Sequence, residues 1–327
     1  MLQKPRLLAA LLPIAIIIGF RYRIGADWGS YLNYLDIARY LSFLEASSLG
    51  DPGYILLNWA VARTFNAIWA VNLVCGLIFS FGLVAFARIQ PRPWLALLVA
   101  VPYLVIVVAM GYSRQGVAIG FAMLGLVALQ RDRSSAKFVI WIALAATFHK
   151  TAVLLVPLGA LSAVHGRIWT TTWIGVATLL LYYLFLESSV ESLIAGYIEA
   201  EYDSQGAAVR AAMNALPAAI FLLGRWRFHL ARGERRLWTN MALLALTFAG
   251  LLFVSPSSTA IDRMGLYLIP VQIFVLSRLP DAFPAKGGEI SPVTLGVIGY
   301  SAIVQFIWLN FATHARYWLP YQFYPLL

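Results

Sequence analysis

A chain of 327 residues that is 61% hydrophobic and only 12% charged, with a mean hydropathy of +0.78, is outside the range of soluble globular domains and has the composition of a polytopic membrane protein. A net charge of +10 would suit nucleic acid in a soluble protein. Here the cytoplasmic excess of Lys and Arg that sets topology accounts for it, and no nucleic-acid partner is expected.

Apolar runs that are long and continuous, without alternation of period two, favour helices over a barrel. The expected fold is therefore all-α: a polytopic integral membrane protein forming one bundle over 1–327, with about eleven transmembrane helices and a re-entrant or interfacial segment. The single cysteine, Cys75, can form no intrachain disulfide.

The first run, Leu7 to Phe20, follows Lys4 and Arg6 but has no small-residue cleavage site behind it, so it reads as a retained first span with a cytoplasmic N-terminus. Directly after it, Arg21-Tyr22-Arg23-Ile24-Gly25-Ala26-Asp27-Trp28 packs two guanidinium groups and a carboxylate. A hydrocarbon interior penalises each such group by roughly 2.5–3.5 kcal/mol, which places the octet at the outer face. The outer loop 21–65 continues with Tyr31 to Glu45, whose mixed apolar and polar positions predict one helix lying along the interface. Asp51-Pro52-Gly53 breaks it. Tyr54 to Phe65 is apolar but too short for the roughly twenty residues a crossing needs, and is expected to be re-entrant or interfacial.

Ala67 to Ala87 then runs inward and leaves Arg88 and Arg92 in the cytoplasm. Further spans are expected near Trp94–Met110, Gly116–Gln130, Phe138–Phe148, Thr151–Val164, Ile168–Leu186, Ala211–Gly224, Leu237–Val254, Met264–Ser277 and Pro292–Phe311. Residues 187–210 form an outer loop. The basic cytoplasmic loop 225–236, with Arg225, Arg227, Arg232, Arg235 and Arg236, is a topology anchor or, as the lesser reading, a lipid headgroup site.

On this topology the unusual polar residues fall on the outer side. Arg114 and Gln115 have no acidic residue within ten positions, so Arg114 wants either a phosphate, which a guanidinium fork binds bidentately, or a distant carboxylate such as Asp51 or Asp262. His149 and Lys150 interrupt an apolar stretch at a turn, where an imidazole can serve as base or hydrogen-bond donor, or simply be solvated. Asp27 is the candidate outer base, unless it only pairs with Arg23 across one helical turn. Arg263 either supports the site or pairs with its neighbour Asp262. The aromatic tail Tyr317–Tyr324, containing Tyr321, is an interfacial belt or a platform for sugar rings. The dispersed histidines form no metal motif, and there is no Gly-rich nucleotide loop and no Gly-x-Ser-x-Gly.

The pieces Arg21-Tyr22-Arg23-Ile24-Gly25-Ala26-Asp27 with Tyr31, Asp51-Pro52-Gly53-Tyr54, Arg114-Gln115, Phe148-His149-Lys150, Asp262-Arg263 and Trp318-Leu319-Pro320-Tyr321 occur in order and together resemble the EpsG-like family of Wzy-type polysaccharide polymerases. That resemblance implies a glycosyltransferase of the bacterial inner membrane that joins undecaprenyl-diphosphate-linked repeat units at the periplasmic or outer face. It also implies kinship with C-type glycosyltransferases, and company with membrane lipids, a flippase and chain-length regulator proteins. Asp27 stands where C-type enzymes often place an acidic catalytic residue; Ala26 and Asp51 depart from the Thr and Glu usual in relatives. The expected catalytic residues are Asp27 and His149. The expected diphosphate or substrate contacts are Arg21, Arg23, Arg114, Gln115, Lys150, Arg263 and Tyr321, with no cofactor and no metal. The alternatives are a lipid-linked glycan ligase or single-sugar transferase, and a non-enzymatic flippase or transporter.

Overall fold

The computed structural model describes residues 7–161, 167–187, 206–255, 258–284 and 291–327. Apolar residues dominate nearly every stretch, and the backbone satisfies its hydrogen bonds locally, so the described chain is helical apart from two short strands. A 3-10 turn, Leu7–Ala10, leads into α1 (Leu11–Gly19). Beyond it β1 (Arg21–Tyr22) pairs antiparallel with β2 (Gln322–Phe323), Arg21 opposite Phe323 and Tyr22 opposite Gln322. No alternation in the sequence announced this ribbon.

The helix expected over Tyr31 to Glu45 is two helices, α2 (Trp28–Ala38) and α3 (Phe43–Ser48). The Ser42 hydroxyl accepts from the Glu45 N–H while the Glu45 carboxylate accepts from the Ser42 N–H, a reciprocal cap that starts a new helix where the old pattern would have continued. Pro52 opens α4 (Pro52–Thr64), a 13-residue helix. Arg63 near its end lies 4.1 Å over the Trp59 ring and donates to the carbonyls of Ala38 and Leu41, which fastens α4 to the α2–α3 connection.

The 21-residue α5 (Ile68–Arg88) is the central post, against which α1 and α7 (Ser113–Val127) pack. Small residues allow the close approach: a side-chain carbon on Gly76 would press on the Ala15 carbonyl, and one on Gly82 would collide with the backbone of Gly120. Between α5 and α7, α6 (Pro93–Ala100) loosens into a π-helical turn over Val101–Ala109 that contains Pro102. Next come α8 (Ser135–Phe148), a 3-10 stretch Lys150–Leu155, α9 (Pro157–Leu161) and α10 (Arg167–Phe185). The rest is α11 (Ala207–Gly224), α12 (Arg232–Leu251), α13 (Ser258–Gly265), α14 (Pro270–Ala282) and α15 (Pro292–Phe311). Trp238 of α12 stacks on Phe274 of α14 at 3.9 Å in the core.

Four helices are long and apolar enough to cross a membrane: Ile68–Arg88, Ile168–Phe185, Ala207–Phe228 and Pro292–Phe311. Ser258–Leu268 with Pro270–Ala282, bent by 45°, makes a fifth if taken as one broken span. Leu7–Gly19, Pro93–Ala109, Ser135–Phe148 and Lys150–Leu161 are apolar but shorter. Among the described residues, then, only four or five of the roughly eleven expected crossings have full spanning length. Most of the expected outer loop 187–210 lies outside the described residues.

Polar side chains gather at two ends of the bundle. At one, Arg92 meets Asp281 at 2.8 Å, and Arg278 meets Glu234 at 2.9 Å and Gln90 at 3.1 Å. At the other lie the turn after α1, the starts of α4 and α7, the turn after α8, α13 and the residues following α15.

Candidate functional site

Arg21 sets the floor of that second end. It is fully buried, and its guanidinium donates to the Ile18 carbonyl at 2.6 Å, to Asn72 Oδ1 of α5 at 2.9 Å and to Ser113 Oγ of α7 at 2.6 Å. No carboxylate partners it among the described residues. Its two terminal nitrogens tie three helices together while its Nε is buried without a partner among the described residues, so the fully buried Arg21 supports the site from beneath and is not placed to meet a substrate, contrary to the sequence expectation. Arg23 is exposed, with a left-handed φ of 53° and its guanidinium 5.2 Å from the Tyr22 ring.

Gly25 has φ of +98°, and its Cα side lies against the Gly111 backbone, where a side chain would not fit; its N–H donates to the Tyr317 carbonyl at 2.9 Å. This bend presents Asp27 at the start of α2. The Asp27 backbone carbonyl accepts from the Tyr31 N–H, while its half-buried carboxylate makes no hydrogen bond or ion pair among the described residues. The Arg23–Asp27 pair considered from sequence does not form. Burial raises the pKa of the Tyr31 and Tyr112 phenols, and the nearby Asp27 carboxylate acts in the same direction on each.

Arg114, in the first turn of α7, has found a distant carboxylate. Its Nη1 lies 2.8 Å from Asp51 Oδ2, and Asp51 Oδ1 accepts the Lys150 N–H at 3.2 Å. Asp51, only 5% exposed, thus bridges α4, α7 and the turn after α8. Burial pushes its carboxyl above the ordinary value, opposed by the Arg114 charge and the Lys150 N–H. Arg114 remains 32% exposed in its side chain and lies 5.1 Å over the Tyr34 ring, so the ion pair leaves part of the guanidinium uncovered.

Gln115 is buried and donates to the Arg263 carbonyl at 2.6 Å, fixing α13 against α7. The Arg263 guanidinium lies 4.1 Å over the Tyr112 ring. Asp262 turns away from its sequence neighbour and takes a bidentate pair from Arg210 of α11, at 2.6 and 2.8 Å. Of the two readings the sequence left open for Arg263, support of the site or pairing with Asp262, the bond to Arg210 gives Asp262 a different ion-pair partner. Arg210 was missed because its counter-ion is 52 positions away.

His149 Nδ1 lies 2.7 Å from Thr151 Oγ1 and 3.2 Å from the Tyr267 hydroxyl. Burial, with Arg114, Arg263 and Lys150 nearby, pushes its pKa down to about 3. The imidazole is neutral at physiological pH and acts as a hydrogen-bonding group. Lys150 contributes its backbone N–H. The Tyr321 hydroxyl donates to the Ile17 carbonyl at 2.7 Å, leaving its ring partly exposed. Buried Trp318 donates to the Ile106 carbonyl at 2.7 Å and lies against Gly111.

Tyr31, which the sequence marked as part of the resemblance without a role, is the point these groups share: burial raises the pKa of its phenol, and Asp27, Arg114, Arg21 and Arg263 all act on it electrostatically. Arg114 and Arg263 likewise both act on His149. Residues from six segments therefore surround one neighbourhood with cationic donors, one carboxylate without a partner among the described residues, and several aromatic rings. Such a set can hold an anionic group and accept a proton beside it. Among the described residues no three His, Cys, Asp or Glu side chains cluster to hold a metal ion.

The chain was compared with known proteins. A family model described as the EpsG family matches residues 7–323, nearly the whole chain, and the chain belongs to that family. No curated protein and no solved structure matches it.

Proposed function

We propose, for this member of the EpsG family, a polysaccharide polymerase that joins lipid-diphosphate-linked oligosaccharide repeat units, with undecaprenyl diphosphate as the carrier, at the periplasmic or outer face of a bacterial inner membrane. The N-terminus is cytoplasmic, and the end of the bundle that carries Asp27 faces outward. Excess Lys and Arg in the loops of the opposite end support that orientation.

The acceptor hydroxyl oxygen attacks the anomeric carbon of the donor. The bond from that carbon to the diphosphate oxygen breaks, its electron pair leaves with the lipid diphosphate, and the hydroxyl proton passes to the Asp27 carboxylate. Negative charge moving onto the leaving diphosphate is met by the uncovered part of Arg114 and by Arg263, with Arg23 at the exposed rim. Asp51 holds Arg114 in place, Gln115 positions Arg263, and neutral His149 with Tyr267 and Thr151 offers hydrogen bonds. The rings of Tyr321, Tyr22 and Tyr324 present faces suited to sugars.

The observation that carries this reading is the difference among three carboxylates at one end of the bundle. Asp51 and Asp262 are each committed to an arginine, and Asp27 is not. The test is incubation of the purified protein with a lipid-linked repeat unit and no nucleotide. Ladders of longer glycan that disappear in Asp27→Asn are the expected result; a single added sugar, or transport without bond formation, would assign the site to a transferase or a flippase instead.

A further inference from the structure

The opposite end of the bundle contains a cavity of about 570 Å³ among α5, the turn after α7, α12 and α14, lined by Arg88, Gln130, Arg131, Glu234 and Arg278. Its volume is within the range of small-ligand sites. Its charges are unevenly matched. Glu234 is taken by Arg278 at 2.9 Å, and Arg278 also donates to Gln90. Asp132, beside Arg131 in sequence, is held by Lys137 at 2.7 Å. Arg88 and Arg131 have no ion pair among the described residues. Gln130 also lines the cavity, with its side-chain amide atoms buried in the wall and without a hydrogen-bond partner among the described residues.

Two guanidinium groups without an ion pair among the described residues, on the wall of one cavity, are forked donors suited to the oxygens of a phosphate. We propose that this cavity is an anion site for a phosphate-bearing group, supplied either by the headgroup of an anionic lipid or by soluble phosphate or diphosphate. Basic pockets between membrane helices hold anionic headgroups for the same reason. An occupant would bridge α5 and the turn after α7 to α12 and α14, and so clamp the two halves of the bundle at the end away from Asp27. The inference stands whether or not the chain is a polymerase.

The test uses the full-length protein, delipidated in neutral detergent, with thermal melting and native mass spectrometry as readouts. Cardiolipin, phosphatidylglycerol, phosphatidylcholine and inorganic pyrophosphate are the separate probes. The expected result is a higher melting temperature and retained ligand with an anionic probe and not with phosphatidylcholine; response to the lipids alone names a headgroup, and response to pyrophosphate names the soluble anion. Each cation is worth about fivefold in affinity for an anionic surface, so Arg88→Gln with Arg131→Gln weakens retention about twenty-fivefold. Arg133→Gln, which removes an exposed charge that does not line the cavity, leaves it unchanged. Should the double variant fail to fold, Arg131→Gln alone, at an exposed position, must weaken retention about fivefold. Equal response to phosphatidylcholine, no response to any anionic probe, or unchanged retention in the folded cavity variant overturns the proposal.

Discussion

Arg114 and Asp51, 63 positions apart in the chain, meet at 2.8 Å, and the second oxygen of the same carboxylate takes the Lys150 N–H. The ion pair fixes one of the guanidinium groups at the candidate site, so its removal has both a structural and a functional cost. Asp51→Ala leaves the half-buried Arg114 cation and the Lys150 N–H without their shared partner and is expected to destabilise the protein by about 1–3 kcal/mol. The double variant Asp51→Ala with Arg114→Ala is expected to lose less than the sum of the two single changes, as read from melting temperatures in a double-mutant cycle. Strict additivity would show that the two groups do not act as a pair.

Asp27→Asn preserves size and removes the basicity. Glycan polymerisation by the purified protein should fall by about 10²–10⁴ in rate, with the melting temperature unchanged, because the carboxylate has no structural partner among the described residues to lose. Wild-type rates in the Asn variant would transfer the role of base to another group.

Arg21 and Arg263 should fail in different ways. Arg21→Ala removes three buried hydrogen bonds between helices and should abolish stable insertion. Arg263→Gln should leave a folded protein whose turnover is lower by about 10²–10³, the usual loss when a charge-stabilising donor is removed. Membrane fractionation and in vitro turnover, measured on both variants, separate the two outcomes.

His149 predicts a pH dependence of stability. Its folded pKa is depressed to about 3 from an ordinary 6.5. Above pH 6.5 neither the folded nor the unfolded state is protonated at this group, and it contributes nothing. As the pH falls from 6.5 towards 3, the unfolded chain gains a proton that the folded state refuses, so stability declines with acidity. His149→Gln should flatten that part of the profile of melting temperature against pH. Activity in the wild type should show no inflection near 6.5 from this imidazole.

Gly82→Ala tests the packing of α5 on α7. The added carbon meets the Gly120 backbone, which cannot swing aside as a flexible side chain would, and the expected loss is about 1–3 kcal/mol. Gly175→Ala, where nothing lies within 4 Å, is the matching neutral substitution.

Much of the helical framework was legible in advance. Pro292–Phe311 agrees to the residue, because a Ser cap and a Pro start mark one end and an unbroken apolar run fills the rest. Met264–Ser277 did not survive as one helix: a 3-10 turn over Leu266–Leu268 precedes Pro270, and the segment bends there. At the site, the sequence marked which residues were unusual but not which would meet. Arg21 looked like a substrate ligand because its partners are neutral and distant: Asn72 is a polar residue inside an apolar run, and Ser113 lies 92 positions away. Asp262 offered a pair with Arg263 as one of two readings because adjacency is visible in a sequence, whereas the bidentate geometry offered by Arg210 is not. Tyr31 was marked by the resemblance but given no role, since a phenol acquires importance only from what surrounds it.

The two-stranded ribbon bears on biogenesis. The opening turn with Asp27 is stitched to the tail through Arg21 opposite Phe323, Gly25 to Tyr317, and Tyr321 to Ile17, the last pair 304 positions apart. A ribosome delivers the first of these partners long before the second, so a nascent or truncated chain holds its carboxylate on an untethered loop. The end of the bundle that carries Asp27 is therefore closed only after translation has passed residue 323.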